Sequence, residues 1–539
     1  LSKKSFVKGA TILTVAGIVA KIIGALFRIP LGNTIKSEGM GFYQMAYPVY
    51  AFLLIVSTAG LPTAISKIVS EKIAVNDYRG AHRVFKVSFR LLTVIGITTT
   101  IIMLVGSPLF ARMVRNKESI YCFISIAPAL FFVSLLSAYR GYFQGMQNMT
   151  PTAVSQIVEQ FGKLIMGLWL ATLWIPNGPQ YGAAGAILGV TLSEVAALVL
   201  VMGMYRGEKQ KIYSNIRRSP KHMYYESTSS IVNRIANIAI PVTIGAAVMP
   251  FISFLDSVIV PGRLQYVGFS KREATSLFGI LTGMVNPIIN LPTVFTIALG
   301  MSLVPAIAES YAMKDRKSIV HKTTIGIKLT MLIGVPASIG MAVLSTPICK
   351  LLYARIDADE VLLAGNLLMI LSIAVAFLTL IQTLTAILQG IGRVKTPVRN
   401  LFIGAILKVI LTIILVGMPS INIKGAAVST LVCYATAAIL DFIAVIRYTK
   451  IPFSFSDFLI KPLLASIIMG GCVYFSYDRI FTALNSNTKA TLLSIIIGIL
   501  VYAIMLLLTG TIREQDLEML PKGRTIARKL KKIGLLRKS

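Results

Sequence analysis

"RGYFQGMQNMTP" at residues 140–151 and "LQGIGRVKTP" at 388–397 place a Gln-Gly, a short polar turn and a Thr-Pro between long apolar runs twice in one chain. One such match is weak, but the neighbours repeat in the same order. "AGLPTAISKIVSEKIAVNDYRGAHRVFKVSFRLLTVIG" (59–96) runs parallel to "LGMSLVPAIAESYAMKDRKSIVHKTTIGIKLTMLIG" (299–334), and "YGAAGAILGVTLSE" (181–194) to "IKGAAVSTLVCYA" (423–435). Matches that keep their order define an internal duplication. The repeated phrase itself reads as a helix-turn-helix joint. Glycine ends one helix, Thr150 or Thr396 caps the next, and Pro151 or Pro397 takes its first position, where a missing N–H costs nothing.

Composition says what surrounds these joints. The chain has 539 residues, 55% hydrophobic and 14% charged, with a mean hydropathy of +0.77. That is too few charges to clothe a soluble globule of this length, and it places the chain in lipid. Scanning for runs of about 20 apolar residues gives fourteen spans. The expected fold is an all-α membrane protein with fourteen transmembrane helices. Two parallel six-helix repeats, related by a pseudo-twofold axis along the membrane normal, are followed by two C-terminal helices. The corresponding domains are an N-terminal lobe at 1–206, a basic cytoplasmic linker at 207–230, a C-terminal lobe at 231–448, helices 13 and 14 at 449–510, and a basic tail at 511–539. The tail alternates basic and apolar positions at helical spacing, as a segment lying along anionic headgroups would, or as a solvated tail could.

The 53 Lys and Arg against 21 Asp and Glu would point to nucleic acid in a soluble protein. Here the excess lies in short loops, and those on the N-terminal side carry about three times as many as the opposite ones. Both termini are therefore expected in the cytoplasm, with anionic lipids rather than nucleic acid as the partner of the basic loops. Cys122, Cys349, Cys433 and Cys472 lack paired spacing, and His82, His222 and His321 fall in basic loops, so neither disulfides nor a metal site is expected.

Ionisable groups within spans are costly and mark function or pairing. Lys21 and Arg28, seven residues apart, share one face of the first span. Glu159 and Lys163, four apart, are expected to pair on the fifth. Lys408 follows Pro397 at nearly the depth at which Lys163 follows Pro151. Arg90, Arg234 and Lys328 lie near helix ends, where long side chains snorkel to headgroups. Glu194 and Asp256 are candidates for charge pairing or for binding a coupling ion. Pro287, Pro292, Gly300 and Pro305 interrupt the eighth span as hinges or as packing bends.

"KIIGALFRIPLGNTIKSEGMGFYQMAYPVY", "GLPTAISKIVSE", "RGYFQGMQNMTPTAVSQIVEQ" and "LTGTIREQDLEMLP" resemble the stage V sporulation protein B and polysaccharide-biosynthesis group. That group lies within the multidrug/oligosaccharidyl-lipid/polysaccharide (MOP) flippase superfamily, together with MurJ-type lipid II flippases and MATE antiporters. The resemblance implies a non-enzymatic flippase of the bacterial cytoplasmic membrane. It would export an undecaprenyl-pyrophosphate-linked cell-wall precursor or polysaccharide unit by alternating access, as a monomer beside cell-wall synthesis proteins. It also implies that Lys21 and Arg28 line the cavity and meet the pyrophosphate; Lys163 and Lys408, from their matching depth in the two repeats, are expected to face the same axis as further substrate-binding cations. No cofactor is implied; energy would come from H⁺, Na⁺ or the membrane potential. The sequence departs from the MurJ pattern where "LLIVSTAGLP" and "NPIINLP" stand in place of expected cations. Two other readings compete. A MATE-type cation-coupled antiporter shares the fold, but its site should be acidic and aromatic. A membrane glycosyltransferase would use the Asp-x-Asp of "RIDADE" (355–360) to hold Mg²⁺.

Overall fold

The computed structural model describes residues 3–219, 226–451 and 456–510; the basic tail at 511–539 and His222 lie outside them. Its first helices are α1 (Lys3–Thr58), α2 (Leu61–Ala74), α3 (Tyr78–Met113), α4 (Ile120–Gly145), α5 (Thr150–Trp174), α6 (Pro179–Arg218), α7 (Thr228–Tyr266) and α8 (Lys271–Gly279). They continue as α9 (Asn286–Ile289), α10 (Thr293–Ala312), α11 (Arg316–Val343), α12 (Ser345–Leu352), α13 (Ala358–Gly390), α14 (Lys395–Val416), α15 (Ile423–Thr449), α16 (Lys461–Leu484) and α17 (Asn487–Leu508). Among the described residues there is no strand, and twelve helical segments are long and apolar enough to cross a membrane. The first of these, Val15–Ala74, runs 60 residues and is broken at Lys36 (φ 57°, ψ −171°). It is long enough for two crossings of about 20 residues each. α5 has spanning length, 25 residues, but carries Glu159 and Lys163 mid-helix.

The chain forms two compact units, residues 1–284 with 416–423, and residues 285–415 with 424–539. The first unit thus reaches beyond the six helices of the first repeat to include α7 and α8. Residues 207–218, read from sequence as linker, continue α6 as regular helix.

The repeated joints are built the same way in both copies. After α4, Gln147 N–H bonds the Gln144 carbonyl and Asn148 N–H reaches back to Phe143; after α13, Gly392 bonds Gln389 and Arg393 bonds Leu388. Both are Schellman closures, which need a left-handed residue just past the helix. Gln147 (φ 59°) and Gly392 (φ 78°) fill that place. The other repeated joint matches as well: Asn76 (φ 61°) and Lys314 (φ 56°) are left-handed, and each precedes an aspartate that caps the next helix, Asp77 through Gly80 N–H and Asp315 through Ser318 N–H. One detail differs from the sequence reading. Thr150 and Thr396 lie inside the first turn of α5 and α14 rather than at the cap. Asn148 Oδ1 accepts from Thr150 N–H instead, because an amide two residues earlier reaches the orphan donor first. Since Gln147 holds a conformation that glycine adopts freely, Gln147→Gly is expected to stabilise the protein by about 1 kcal/mol, read as a rise in unfolding temperature in detergent.

Helices approach closely where side chains are small. Gly189 of α6 backs onto Gly167 of α5, and Gly185 onto the Leu170 carbonyl. Just past the break at Lys36, a Cβ at Gly41 would strike the Thr275 carbonyl oxygen, and one at Gly279 the Ser37 carbonyl oxygen and the Gly41 backbone. Ser276 Oγ donates to Ser37 Oγ at 2.7 Å, Gln44 Nε2 donates to the Thr282 carbonyl at 2.7 Å, and Arg272 pairs with Glu38 at 2.9 Å. These contacts clamp α8 to α1. Gly279→Leu is expected to destabilise by about 1–3 kcal/mol through overpacking; unfolding at wild-type temperature would contradict the close crossing.

At the other end of the unit, a charged clasp ties the start of α7 to α2 and α3. Arg234 pairs with Glu71 at 2.7 Å and with Glu226 at 3.1 Å, and Lys72 reaches Glu226 at 3.2 Å and Asp77 at 3.5 Å. Arg234, read from sequence as a snorkelling cation, is thus committed to acidic partners. Burial alone would raise the Glu226 carboxyl, but hydrogen bonds from Arg234, Lys72 and Ser230 outweigh it and hold the group below the usual glutamate range. A carboxyl depressed in the folded state contributes stability above its unfolded value, about 4.3, and loses it as pH falls through the lower folded value. Glu226→Gln is therefore expected to lower stability by about 1–2 kcal/mol at pH 7. The gap to wild type should close below about pH 4; a gap that persists there in pH-resolved melting would show that charge is not its source.

Candidate functional site

The ionisable groups of the first unit converge where the first half of α1 meets α5. Gly24 lets the two helices approach, since a Cβ there would lie 3.0 Å from Gln160 Oε1. One turn on, Phe27 is fully buried and packs against Gly167 of α5. Arg28 follows it, half-buried, within electrostatic reach of Lys163 and Tyr43. Lys21 lies two turns before Arg28 and is exposed on the protein surface.

Lys163 is 7% exposed. Its Nζ sits 5.2 Å from the Phe27 ring centre and 5.0 Å from that of Tyr47, a geometry that stabilises a desolvated ammonium by about 2 kcal/mol. The Tyr43 hydroxyl, beside Lys163, is buried and makes no hydrogen bond of ordinary geometry. Tyr43, Tyr47 and Tyr50 form a stripe along the second half of α1, with ring centres 5.4 Å and 5.8 Å apart.

The expected Glu159–Lys163 pair does not form. Glu159 binds Arg140 of α4 instead, at 3.1 Å, and Arg140 Nε is held by Ser155 Oγ at 3.0 Å. A planar guanidinium braced by a hydroxyl is a better carboxylate partner than a lysine already enclosed by two rings. Glu194 of α6 is 4% exposed; its Oε2 has no hydrogen-bond partner, and Glu159, Arg140, Lys163 and Tyr50 are within electrostatic reach. Arg28, Lys163, Glu159 and Glu194 therefore share one cluster with a residue that sequence reasoning missed, Arg140, and with the tyrosine stripe. The signal for the stripe was present in "YQMAYPVY", whose tyrosines recur at positions i, i+4 and i+7.

Asp256 is half-buried on α7, in the same unit. Lys408 is buried on α14 in the second unit, as is Lys328 on α11, contrary to its reading as a snorkelling cation. Asp441 of α15, 1% exposed, accepts from Asn400 Nδ2 at 2.8 Å. Asp357 precedes α13, with Asp359 and Glu360 in its first turn, where acids complement the helix dipole. The hinge candidates separate into two pairs. Residues Ile280–Val285 are π-helical, Pro287 lies in the four-residue α9, and Pro292 caps α10. Gly300 and Pro305 fall inside unbroken α10, and a Cβ at Gly300 would lie 3.2 Å from that of Ala386. The helical irregularity is thus confined to 280–292, at the boundary between the two units.

Comparison with known proteins agrees with this architecture. The model of the polysaccharide biosynthesis protein family matches residues 6–311, and the MatE model matches 282–414. Stage V sporulation protein B of Bacillus subtilis is 27% identical over 98% of this chain and 100% of its own length. The lipid II flippase MurJ of the same organism is 26% identical over 86% of this chain and 87% of its own. Among solved structures, lipid II flippase MurJ in an inward closed conformation superposes with a TM-score of 0.70 at 17% identity, over 92% of this chain and 97% of that one. An inward-facing MATE family transporter of the MOP superfamily gives 0.65 at 16% identity, over 80% and 94%. With a family model covering more than half its length, the chain is a multi-pass membrane protein of the polysaccharide biosynthesis family, and it shares its fold with the MurJ and MATE structures.

Proposed function

We propose that this transporter moves a polyprenyl-pyrophosphate-linked sugar, of the kind used to build cell wall or surface polysaccharide, across the cytoplasmic membrane by alternating access. The observation that carries the reading is the juxtaposition of Arg28 with buried Lys163, backed by Tyr43 and Tyr47. Two like charges within electrostatic reach of each other in a poorly solvated place repel, and a dianion shared by them relieves that repulsion. Guanidinium offers paired hydrogen bonds to a diphosphate, and the ammonium adds a movable point charge. Lys21 on the same helix and, separately, Lys408 of the second unit are further proposed substrate-binding cations. With both termini in the cytoplasm, an inside-negative potential favours outward movement of an anion, at about 2.3 kcal/mol per charge per 100 mV. The π-helical and proline-broken stretch 280–292 is the proposed hinge.

A second reading, ion-coupled exchange of the MATE type, draws on Glu159 and Glu194. Two neighbouring carboxyls with one guanidinium between them are a place where H⁺ or Na⁺ could bind. The two readings separate in proteoliposomes. Fluorescent undecaprenyl-pyrophosphate sugars should be turned over under an imposed potential, while a cationic dye should not exchange against H⁺ or Na⁺. Dye exchange without sugar-lipid turnover would overturn the proposal in favour of the second reading.

A further inference from the structure

A cavity lies in the first unit, at the end opposite the Thr-Pro joint, where α4 begins and α5 passes into α6. Its volume is about 350 Å³, at the small end of pockets that bind ligands. Tyr121 and Ser125 from the first turns of α4, Trp174 from the end of α5, Asn177 from the turn and Tyr181 from α6 line it. The rings of Tyr121 and Tyr181 are 4.8 Å apart and inclined by 40°.

We infer that this pocket is a subsite for a neutral sugar ring. The inference rests on the reading of the substrate as a lipid-linked sugar and names where its glycan is held. None of the lining residues is acidic or basic, so the pocket does not suit a pyrophosphate and offers no carboxylate to an organic cation. A pyranose presents an apolar C–H face and a rim of hydroxyls. Aromatic rings can cover the face, while an amide, a hydroxyl and phenol groups can bind the rim. Interfacial tyrosines and tryptophans are expected on a membrane protein wherever the lipid boundary falls. That expectation does not require three rings from three helices to converge on one concavity beside an amide and a hydroxyl.

The walls are also fixed before any ligand arrives, which lowers the cost of binding. Gly178 turns the chain at φ +132°, a conformation that side chains rarely adopt, and sets Pro179 at the start of α6. Thr191 Oγ1 donates to the Ser125 carbonyl at 2.7 Å, and the Gly185–Leu170 contact locks α5 to α6.

The test uses the chain's own fluorescence. It has two tryptophans, and Trp169→Phe leaves Trp174 as sole reporter. In nanodiscs, N-acetylglucosamine and N,N′-diacetylchitobiose should change Trp174 emission saturably, whereas sorbitol and inorganic pyrophosphate should not. Tyr181→Ala should weaken the sugar response roughly tenfold. Asn177→Ala, on an exposed turn, should weaken it several-fold. No saturable response, an equal response to sorbitol, or a response untouched by both substitutions would overturn the subsite. A sugar response in protein that fails to turn over lipid-linked sugars would keep the subsite and remove the flippase reading; turnover without a sugar response would do the reverse.

Discussion

Arg28→Ala is expected to slow turnover of a polyprenyl-pyrophosphate sugar by roughly 10–100-fold, the loss that follows from removing charge-assisted hydrogen bonds worth about 1.5–3 kcal/mol. Arg28→Lys should fall between wild type and alanine, because it keeps the charge but loses the planar fork. Lys163→Met should also slow turnover, and the double variant should lose less than the product of the two single effects, since both cations would serve one dianion. The same series has a second readout. Substrate binding should raise the unfolding temperature of wild type, and this shift should shrink in each variant in step with its transport rate. Wild-type turnover by Arg28→Ala would remove this cluster from the transport path. Turnover lost while the substrate-induced shift stays whole would place Arg28 in the conformational cycle instead.

How far the sequence revealed this arrangement depended on whether the determining interaction was local. The repeated joints were legible because each is a few consecutive residues obeying short-range rules: a Gln-Gly at the end of one helix, and a Thr-Pro in the first turn of the next. Lys21 and Arg28 were legible as one face for the same reason, seven residues being nearly two helical turns. The Glu159–Lys163 pair was misread because spacing within α5 permits it, whereas the actual partner, Arg140, comes from α4 and is recruited by tertiary packing. Arg234 was misread likewise, its partners Glu71 and Glu226 lying on other segments. The reach of the first compact unit to residue 284 was invisible as well. Sequence repeats record duplication, but which helices pack tightly is set by contacts such as Gly41 on Thr275 and Gly60 on Ala239. Neither pair shares a motif.

The Arg140–Glu159–Glu194 group gives the largest expected loss of stability. Arg140 is the guanidinium that the structure pairs with Glu159, and it also lies within reach of Glu194, whose Oε2 has no hydrogen-bond partner. Arg140→Met keeps the length of the side chain and deletes its charge, leaving the half-buried Glu159 carboxyl without its partner beside the buried Glu194. Breaking a buried ion pair by removing one partner costs about 3–5 kcal/mol. Arg140 and Glu159 side chains keep 15% and 22% exposure, so water screens part of that loss, and about 3 kcal/mol is the expected value. Removing the orphaned charge should restore most of it: Arg140→Met with Glu159→Gln is expected within about 1 kcal/mol of wild type, because a neutral amide oxygen can still accept from Gln160 Nε2 without an unpaired charge. Thermal or denaturant unfolding in detergent would measure the cycle. If Arg140→Met costs under about 1 kcal/mol, or the double variant is no better than the single one, the pair carries little energy. The carboxyls would then be held by water, and the cluster would be an open, hydrated cavity rather than a closed electrostatic group.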